Sequence, residues 1–465
     1  MPSIKIFEED LTKGGGSSTN LNVVYVPGFM STDTGESRNE PGAWPWVEER
    51  DEDGKVVKEE GIPKYVPGIS NAPRACEPRL CSTITEFEMY FGTEPATYTV
   101  GDKKCVDKSY IYAKELIASG LPVLYESINS VNTEDEEETV EVSPETMQLY
   151  LKGDSEQDIT SVYDKLWDRG EYQFKYLTSG GYPSFYVDGI QSAIATKMAK
   201  LTTSDSKEGE SKSRGDCVAL IDHIDDADVP LSGNGSIYES VKAQFMSLDG
   251  ADGCAMFTPW VNMNFTTYDK TLSMPGSFAY LMSLAKSLRT NPSWLAIAGA
   301  TRGQIPNLDG NTPLNLNKTL TNAIAESYQN RDGISINAIT NIKPFGYRIW
   351  GNRTLKNNSV EGNLTATSFL NTKTMVCDVK KIVWDACRKY MFEQNTDVLW
   401  FNFKSYIEPT LNQMKTGAGL SGYKIIKGTT NEKAKLVATI KLYPLYAVED
   451  FEVTVQMLDD EIAVS

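Results

Sequence analysis

The 465-residue sequence predicts a multidomain chain of mixed α/β class. The length exceeds what one hydrophobic core ordinarily serves and suggests about three domains. Residues 160–255 alternate strand-like and helix-like apolar runs, the order that gives a parallel or mixed sheet. The last third joins a long amphipathic helix to a strand-rich tail that ends in "FEVTVQML".

Residues 3–8, Ser-Ile-Lys-Ile-Phe-Glu, alternate enough for a short strand, with Ile4, Ile6 and Phe7 as its apolar positions. Gly14–Asn20 behind them is a flexible tether, and a strand on a tether can reach a neighbour. A frayed terminus, or a strand on the chain's own sheet, is the plain alternative. The apolar run Leu21–Val26 leads into a polar stretch, 31–72, with Trp44 and Trp46 as isolated anchors, which is expected to be a long surface excursion. From Ile84 to Tyr125, "ITEFEMYFG" and "SYIYAKELIASGLPVLYE" predict two short helices and a buried strand. The acidic run Glu134–Glu138 is expected to be a solvated loop.

The central alternation is strand "YQFKYLTSG", helix "IQSAIATKMAKL", a polar loop, strand "CVALID", helix "SIYESVKAQFMSL" and strand "CAMFTP". Met274-Pro-Gly-Ser277 marks a helix start into "FAYLMSLAKSL". "SWLAIAGATRGQIPNL" predicts a strand leading into a loop that another segment approaches closely at Gly299 and Gly303. A further helical run spans Leu320–Tyr328.

In the helix predicted over 368–393, Val376, Val379, Val383, Ala386 and Tyr390 recur at helical spacing as a buried stripe. Lys373, Lys380, Lys381, Arg388 and Lys389 form a basic strip on another face, either an ordinary solvated face or a docking strip for an acidic partner. After Ser421, "YKIIKG", "KAKLVATIKLY" and "FEVTVQML" read as strands, and Pro444 with Val448–Asp450 suggests a bend or linker that frees the last of them. Phe451, Val453, Val455 and Met457 share one face of that terminal strand. Such a strand can leave its own domain and pair with an open sheet edge of another copy.

The balance of 45 basic against 63 acidic residues, a formal charge of −18, disfavours nucleic acid or an anionic membrane as a direct partner. It also limits premature association of copies, although ordinary solubility explains it equally. Seven cysteines, an odd number with no C-x-x-C pair, read as reduced thiols rather than a disulfide framework. With His223 as the single histidine, no metal site and no cofactor is expected. No apolar run approaches the roughly 20 residues of a membrane span, and the amino terminus lacks a signal peptide's apolar core, so a cytoplasmic site of synthesis is expected.

Catalytic motifs are missing. There is no phosphate-binding loop and no Gly-x-Ser-x-Gly elbow, and no Gly-x-Gly-x-x-Gly follows the Gly180-Gly181 turn. Asp222-His223 would be the start of a hydrolase reading, but neighbours on a strand point to opposite faces and cannot form the hydrogen bond of a triad directly. His223 is better read as the end of a core strand. The chain is expected not to be an enzyme.

The segments "GYRIWGNRTL", "SFLNTKTMVCDVKKIVWDACRKYMFEQN" and "IKLYPLYAVEDFEVTVQM" resemble the carboxy-terminal domain of contractile phage tail sheath proteins. "NVVYVPGFM" and "STITEFEMYFG" resemble that family's amino-terminal region, and "DCVALIDHIDD", "FTPWVNMNF" and "SWLAIAGATRGQIPNL" its middle, so the resemblance runs from about Val23 to Val455. It implies a carboxy-terminal α/β sheath domain completed by both chain termini, with the other domains inserted and terminal strands exchanged between subunits. It divides the chain into an amino-terminal arm (1–20), an amino-terminal region (21–150), a central α/β domain (151–335), a tube-proximal domain (336–445) and a carboxy-terminal linker strand (446–465).

The resemblance further implies a homo-oligomer around a tail tube, with baseplate and tail terminator proteins as further partners. Such a virion tail assembles in the host cytoplasm and contracts to deliver a genome. The exchanged strands would be carried by Ile4, Ile6, Phe7, Phe451, Val453 and Val455, and Lys380, Lys381, Arg388 and Lys389 would face the tube. The sheath of a tailocin or a cellular injection system is the near alternative, and a soluble α/β binding protein or unrecognised enzyme the distant one.

Overall fold

A computed structural model describes residues 22–30, 46–48, 55, 57–59, 62–63, 65–67, 76–129, 140–186, 193–203 and 213–449, the last apart from 226–227, 234, 269, 307–314, 319, 330–332, 358, 361–362 and 432. The expected amino-terminal arm and the carboxy-terminal one from residue 450 onward, with Ile4, Ile6, Phe7, Phe451, Val453 and Val455, lie outside the described residues, as do the Gly14–Asn20 tether and the acidic run 134–138.

The body is built on one mixed sheet of eight strands. In chain order these are β1 (Val24–Gly28), β2 (Arg79–Cys81), β3 (Val123–Ser127), β4 (Tyr176–Leu177), β5 (Val218–Ile221), β6 (Cys254–Thr258), and, after the hairpin β7 (Val261–Phe265) and β8 (Lys270–Met274), β9 (Asn337–Ile342) and β10 (Gly346–Trp350). Across the sheet the order is β10-β9-β6-β5-β4-β1-β3-β2. The six inner strands are parallel, and β2 and β10 close the two sides antiparallel.

Parallel strands need crossovers, and the chain supplies helices for them. These are α1 (Ile84–Phe91), α2 (Lys108–Ala118), α3 (Pro144–Lys152), α4 (Ala193–Thr202), α5 (Ile237–Phe245), α6 (Gly276–Leu288), and the short α7 (Gly299–Arg302) and α8 (Asn322–Ser327). Helix starts follow side-chain capping chemistry: Thr83, Asp107, Ser143, Ser236 and Thr321 each accept a hydrogen bond from a backbone N–H of the first turn.

Both faces of the sheet are covered, which is why β1 reads as the unbroken run Val-Tyr-Val-Pro-Gly and is buried throughout. Val24 and Val26 point into the core beneath α1, α2 and α6, where Tyr112 meets Phe278 with ring centroids 5.0 Å apart. Tyr25 points the other way, into the core shared with α3, α4 and α5. Its hydroxyl donates to Glu126 at 2.7 Å.

The expected alternation of strands and helices therefore holds, with two local differences. No strand forms at "SWLAIAG"; that run is a loop ending in α7, because Trp294 reaches out to donate Nε1–H to the Gly417 carbonyl at 2.8 Å. Of the two glycines expected to meet a close approach, Gly303 does, since a Cβ there would lie 2.5 Å from the Ile349 carbonyl oxygen of β10, whereas Gly299 has open space where a Cβ would stand. At Gly180, with φ +66°, the approaching backbone is the chain's own: a Cβ would lie 2.0 Å from the Pro27 carbonyl oxygen. That turn is filled from within, not by a ligand.

Beyond the sheet come α9 (Leu370–Lys389), α10 (Asp397–Thr416), β11 (Leu420–Lys427) and β12 (Ala438–Pro444). They surround a third, smaller core that includes Met375, Val379, Phe403, Ile407, Leu411 and Met414. Among the described residues, no helix is long and apolar enough to cross a membrane.

Candidate assembly surface

Helix α9 is the joint between the body and the carboxy-terminal unit. Its apolar side faces α10, with Val379 and Ala386 buried and Val383 and Tyr390 half-buried there; Val376, expected on that stripe, is half-buried but outside this core, and Met375 takes its place. Its other side docks on the chain segments that enter the parallel strands, and the contacts there are ionic. Lys175, just ahead of β4, meets Asp378 at 2.8 Å with both side chains buried. Asp216, ahead of β5, takes Arg214 at 2.6 Å and Lys381 at 3.4 Å. Lys373 reaches Asp252 at 3.3 Å, and Lys380 donates to the Gly215 carbonyl at 2.7 Å.

Burial pushes the Asp378 carboxyl above its ordinary range, an effect that Lys175 opposes. At Asp216 burial also pushes upward, but the hydrogen bonds and charge of Arg214 and the charge of Lys381 hold it below the usual carboxylate range. The Lys381 ammonium is held below its ordinary value by burial.

This geometry corrects the expected basic strip. Lys381 is buried, its ammonium bound to Asp216 and the Phe174 carbonyl, and Lys380 is directed inward as well. An acidic surface of the chain itself already answers these charges. Arg388 and Lys389 are the exposed part of the strip, at the helix end where positive charge suits the helix dipole. The Lys389 ammonium lies 4.8 Å from the centre of the Tyr406 ring.

Helix α10 was not foreseen from the sequence. Thr396 caps it by accepting from the Leu399 N–H at 3.2 Å, and Phe403, Ile407, Leu411 and Met414 make its buried stripe. Those two signals were available, but Pro409 in the middle argues against a continuous helix. The turn from α9 into α10 is apolar and exposed: Phe392 has φ +69° and is 96% accessible, and Met391, Val398 and Phe401 are each more than half accessible.

The two expected strands are present as β11 and β12, and they pair with each other as an antiparallel hairpin. Tyr423, Ile425, Ile440 and Leu442 face the third core, and Lys424, Ile426, Thr439, Lys441 and Tyr443 are exposed on the opposite face. Among the described residues the sheet stops at two strands, so each strand has a free main-chain edge.

The chain after β12 is fastened, not freed, as far as residue 449. Leu445 donates its N–H to the Gly419 carbonyl at 3.0 Å, and the Tyr446 ring lies 5.2 Å from that of Phe369. Glu449 then takes the buried guanidinium of Arg353 in a two-point ion pair, with the Nε contact at 3.1 Å. Arg353 is stacked 4.9 Å over Phe369.

Asp222 and His223 do not form a catalytic pair. The Asp222 carboxylate accepts from Ser277 N–H at 3.2 Å and from Ser277 Oγ–H at 2.6 Å. His223 turns away, with Nε2 at 2.8 Å from Thr258 Oγ1 and Nδ1 at 2.7 Å from the Ile224 carbonyl. Burial raises Asp222 to about 7 and lowers His223 to about 4. All seven cysteines are free thiols, and among the described residues no three metal-ligating side chains cluster.

The whole arrangement, from β1 to the root of the carboxy-terminal segment, recurs in solved structures. The sheath of an extracellular contractile injection system, PVC, in its contracted state matches with a TM-score of 0.53 at 13% identity, over 98% of this chain and 97% of that one. The contracted helical sheath of the anti-feeding prophage matches with a TM-score of 0.51 at 13% identity, over 98% of both chains. This is the fold of a contractile sheath subunit. A chain of the contracted anti-feeding prophage baseplate matches at 0.50 and 12% identity, over 98% of this chain and 99% of that one. By sequence, no family model and no curated protein matches this sheath-fold chain.

Proposed function

We propose that this chain is the subunit of a contractile sheath, many copies of which enclose a rigid tube and shorten to drive it through a target envelope. The observation that carries the reading is a hairpin with no third strand on either edge among the described residues, mounted on a large body of sheath fold. A free edge accepts any extended partner through main-chain hydrogen bonds. Residues 1–20 and, beyond the fastening at Glu449, residues 451–465 are the partners supplied by other copies, with Ile4, Ile6, Phe7, Phe451, Val453 and Val455 as the strand positions. Arg388 and Lys389 stay as tube-facing positions, together with the apolar turn at Phe392.

The reading assigns the chain no chemical step. Contraction draws on contacts between copies that the extended state does not make; if two packings differ by a few kcal/mol per copy, an assembly of many linked copies releases that amount many times over. Calorimetry that finds no heat released on shortening would count against this account.

Two settings fit one mechanism. A phage tail is the first, with capsid and terminase genes beside this one. An injection system or tailocin is the second, and it is favoured by the kind of assembly that the fold matches come from. Negative-stain microscopy of the concentrated full-length chain tests the common part. Hollow cylinders of uniform width are expected. A chain that stays dispersed both alone and with its tube protein overturns the reading.

A further inference from the structure

The outer face of the β11–β12 hairpin carries an unanswered charge. Lys424 and Lys441 are direct cross-strand partners and both are exposed. Like charges placed directly opposite each other weaken an antiparallel pair. Lys427, further along β11, has Asp397 at 2.7 Å. Among the described residues, Lys424 and Lys441 have no such partner. Beside them on the same face stand Ile426 and Tyr443, 42% and 44% accessible.

Two facing ammonium groups flanked by exposed apolar side chains fit a partner that brings carboxylates and apolar groups together. Residues 451–465 have that composition: Glu452, Asp459, Asp460 and Glu461 stand among Phe451, Val453, Val455 and Ile462, with no lysine or arginine. In the same copy the root of this segment leaves the hairpin at the Leu420–Pro444 end and is tied to the body through Glu449 and Arg353. Among the described residues, nothing covers that hairpin face, on which Lys424, Ile426, Lys441 and Tyr443 are all exposed.

We propose that Lys424 and Lys441 form the docking contact for the carboxylates of residues 451–465 of a second copy of this chain. The proposal rests on the strand-addition reading above and names what fixes its register. Main-chain bonds alone hold a strand equally well after a two-residue slip, because the side-chain period is two. A carboxylate on the added strand, set directly beside the lysine of the strand it joins and within reach of the second lysine one strand further in, selects one of those positions.

The test uses full-length chains and two readouts, the critical concentration for assembly and the melting temperature of the dispersed chain. K424E/K441E is expected to raise the critical concentration about three- to tenfold and to leave melting unchanged. Adding E452K/D459K/D460K/E461K to that variant is expected to restore assembly.

Wild-type assembly by K424E/K441E overturns the proposal, as does a lowered melting temperature with unchanged assembly, which would place the segment on its own hairpin. Failure of the reversed tail to restore assembly also overturns it. A chain lacking 451–465 separates the two levels. If it assembles like the wild type, the strand-addition reading falls and this contact with it. If it cannot assemble while K424E/K441E can, only the lysine contact is wrong.

Discussion

At the β10 side of the body the sheet is closed from outside, because the Ile349 N–H of that edge strand donates to the Gly303 carbonyl at 2.8 Å. Neither strand of the carboxy-terminal hairpin has a third neighbour among the described residues. The same contrast holds for charge. In the body, Lys175 and Asp378 are buried against each other, whereas on the hairpin Lys424 and Lys441 face solvent and one another. It holds for packing too: β1 is buried at every residue, while β12 alternates between half-buried and exposed. At these three places the body is closed by its own residues. Among the described residues the hairpin is open at all three of their counterparts.

That contrast can be broken by experiment. The largest effect is expected at the joint. Lys175→Met strands the Asp378 carboxylate in the interior and should cost about 3–5 kcal/mol in urea unfolding of the dispersed chain. A loss below 1 kcal/mol would mean that water reaches the pair, and the body would be less closed than described.

Next come the two kinds of core. Leu281→Ala in α6 should cost about 4 kcal/mol and Ile407→Ala in α10 about 2, both within the usual range for such cavities. Leu281 sits in a large core with all its neighbours fixed, and Ile407 in a small one rimmed by half-exposed side chains that can collapse. The reverse order would make the carboxy-terminal unit the rigid one.

A pH profile sharpens the picture of the body. Asp222 titrates near 7 in the fold because burial disfavours its charge and near 3.9 unfolded. Between those values the native state holds the extra proton, so this group's contribution to stability falls as pH rises. His223, lowered by burial to about 4 from an unfolded value near 6.5, works in the opposite sense, and its contribution rises with pH through that window. Asp222→Asn removes only the first slope. The variant should therefore gain on the wild type between pH 5 and pH 7 by at least about 1 kcal/mol; parallel profiles would show that the carboxylate is solvated.

The smallest effect is a gain. Phe392 holds a left-handed backbone with its ring in solvent, so Phe392→Gly should raise stability by about 0.5 kcal/mol. A lower melting temperature would show that the ring is packed after all.

Local pattern was enough for much of the fold. Strands such as Val218–Ile221 and the alternating hairpin, and helix starts such as Met274-Pro-Gly-Ser277, are announced by period and punctuation. Side-chain reach over long separations was not legible. Nothing in α9 says that Lys381 will find Asp216 or that Asp378 will find Lys175, more than 160 residues away in each case. Along most of its length α9 is packed on two sides, and only its last turns, with Arg388 and Lys389, meet solvent, whereas sequence pattern alone assigns all of its lysines to the surface. Helix α10 was hidden by one proline, and the fastening at Glu449 by a linker-like composition around Pro444.

That fastening sets where a tug on the carboxy-terminal arm is felt. Tension on residues beyond 449 reaches Arg353 before it reaches β12. The backbone of Arg353 is gripped on both sides by the amide of Asn337, at 2.8 Å each, and Asn337 opens β9. The load is thereby handed to an eight-stranded sheet whose ladder shares it, instead of peeling β12 from β11 one bond at a time. In single-molecule pulling from the carboxy terminus, Glu449→Gln should lower the first rupture force; an unchanged force would mean that the hairpin itself bears the strain. With the pair intact, a pull on the carboxy-terminal segment is borne by the body and the hairpin stays whole.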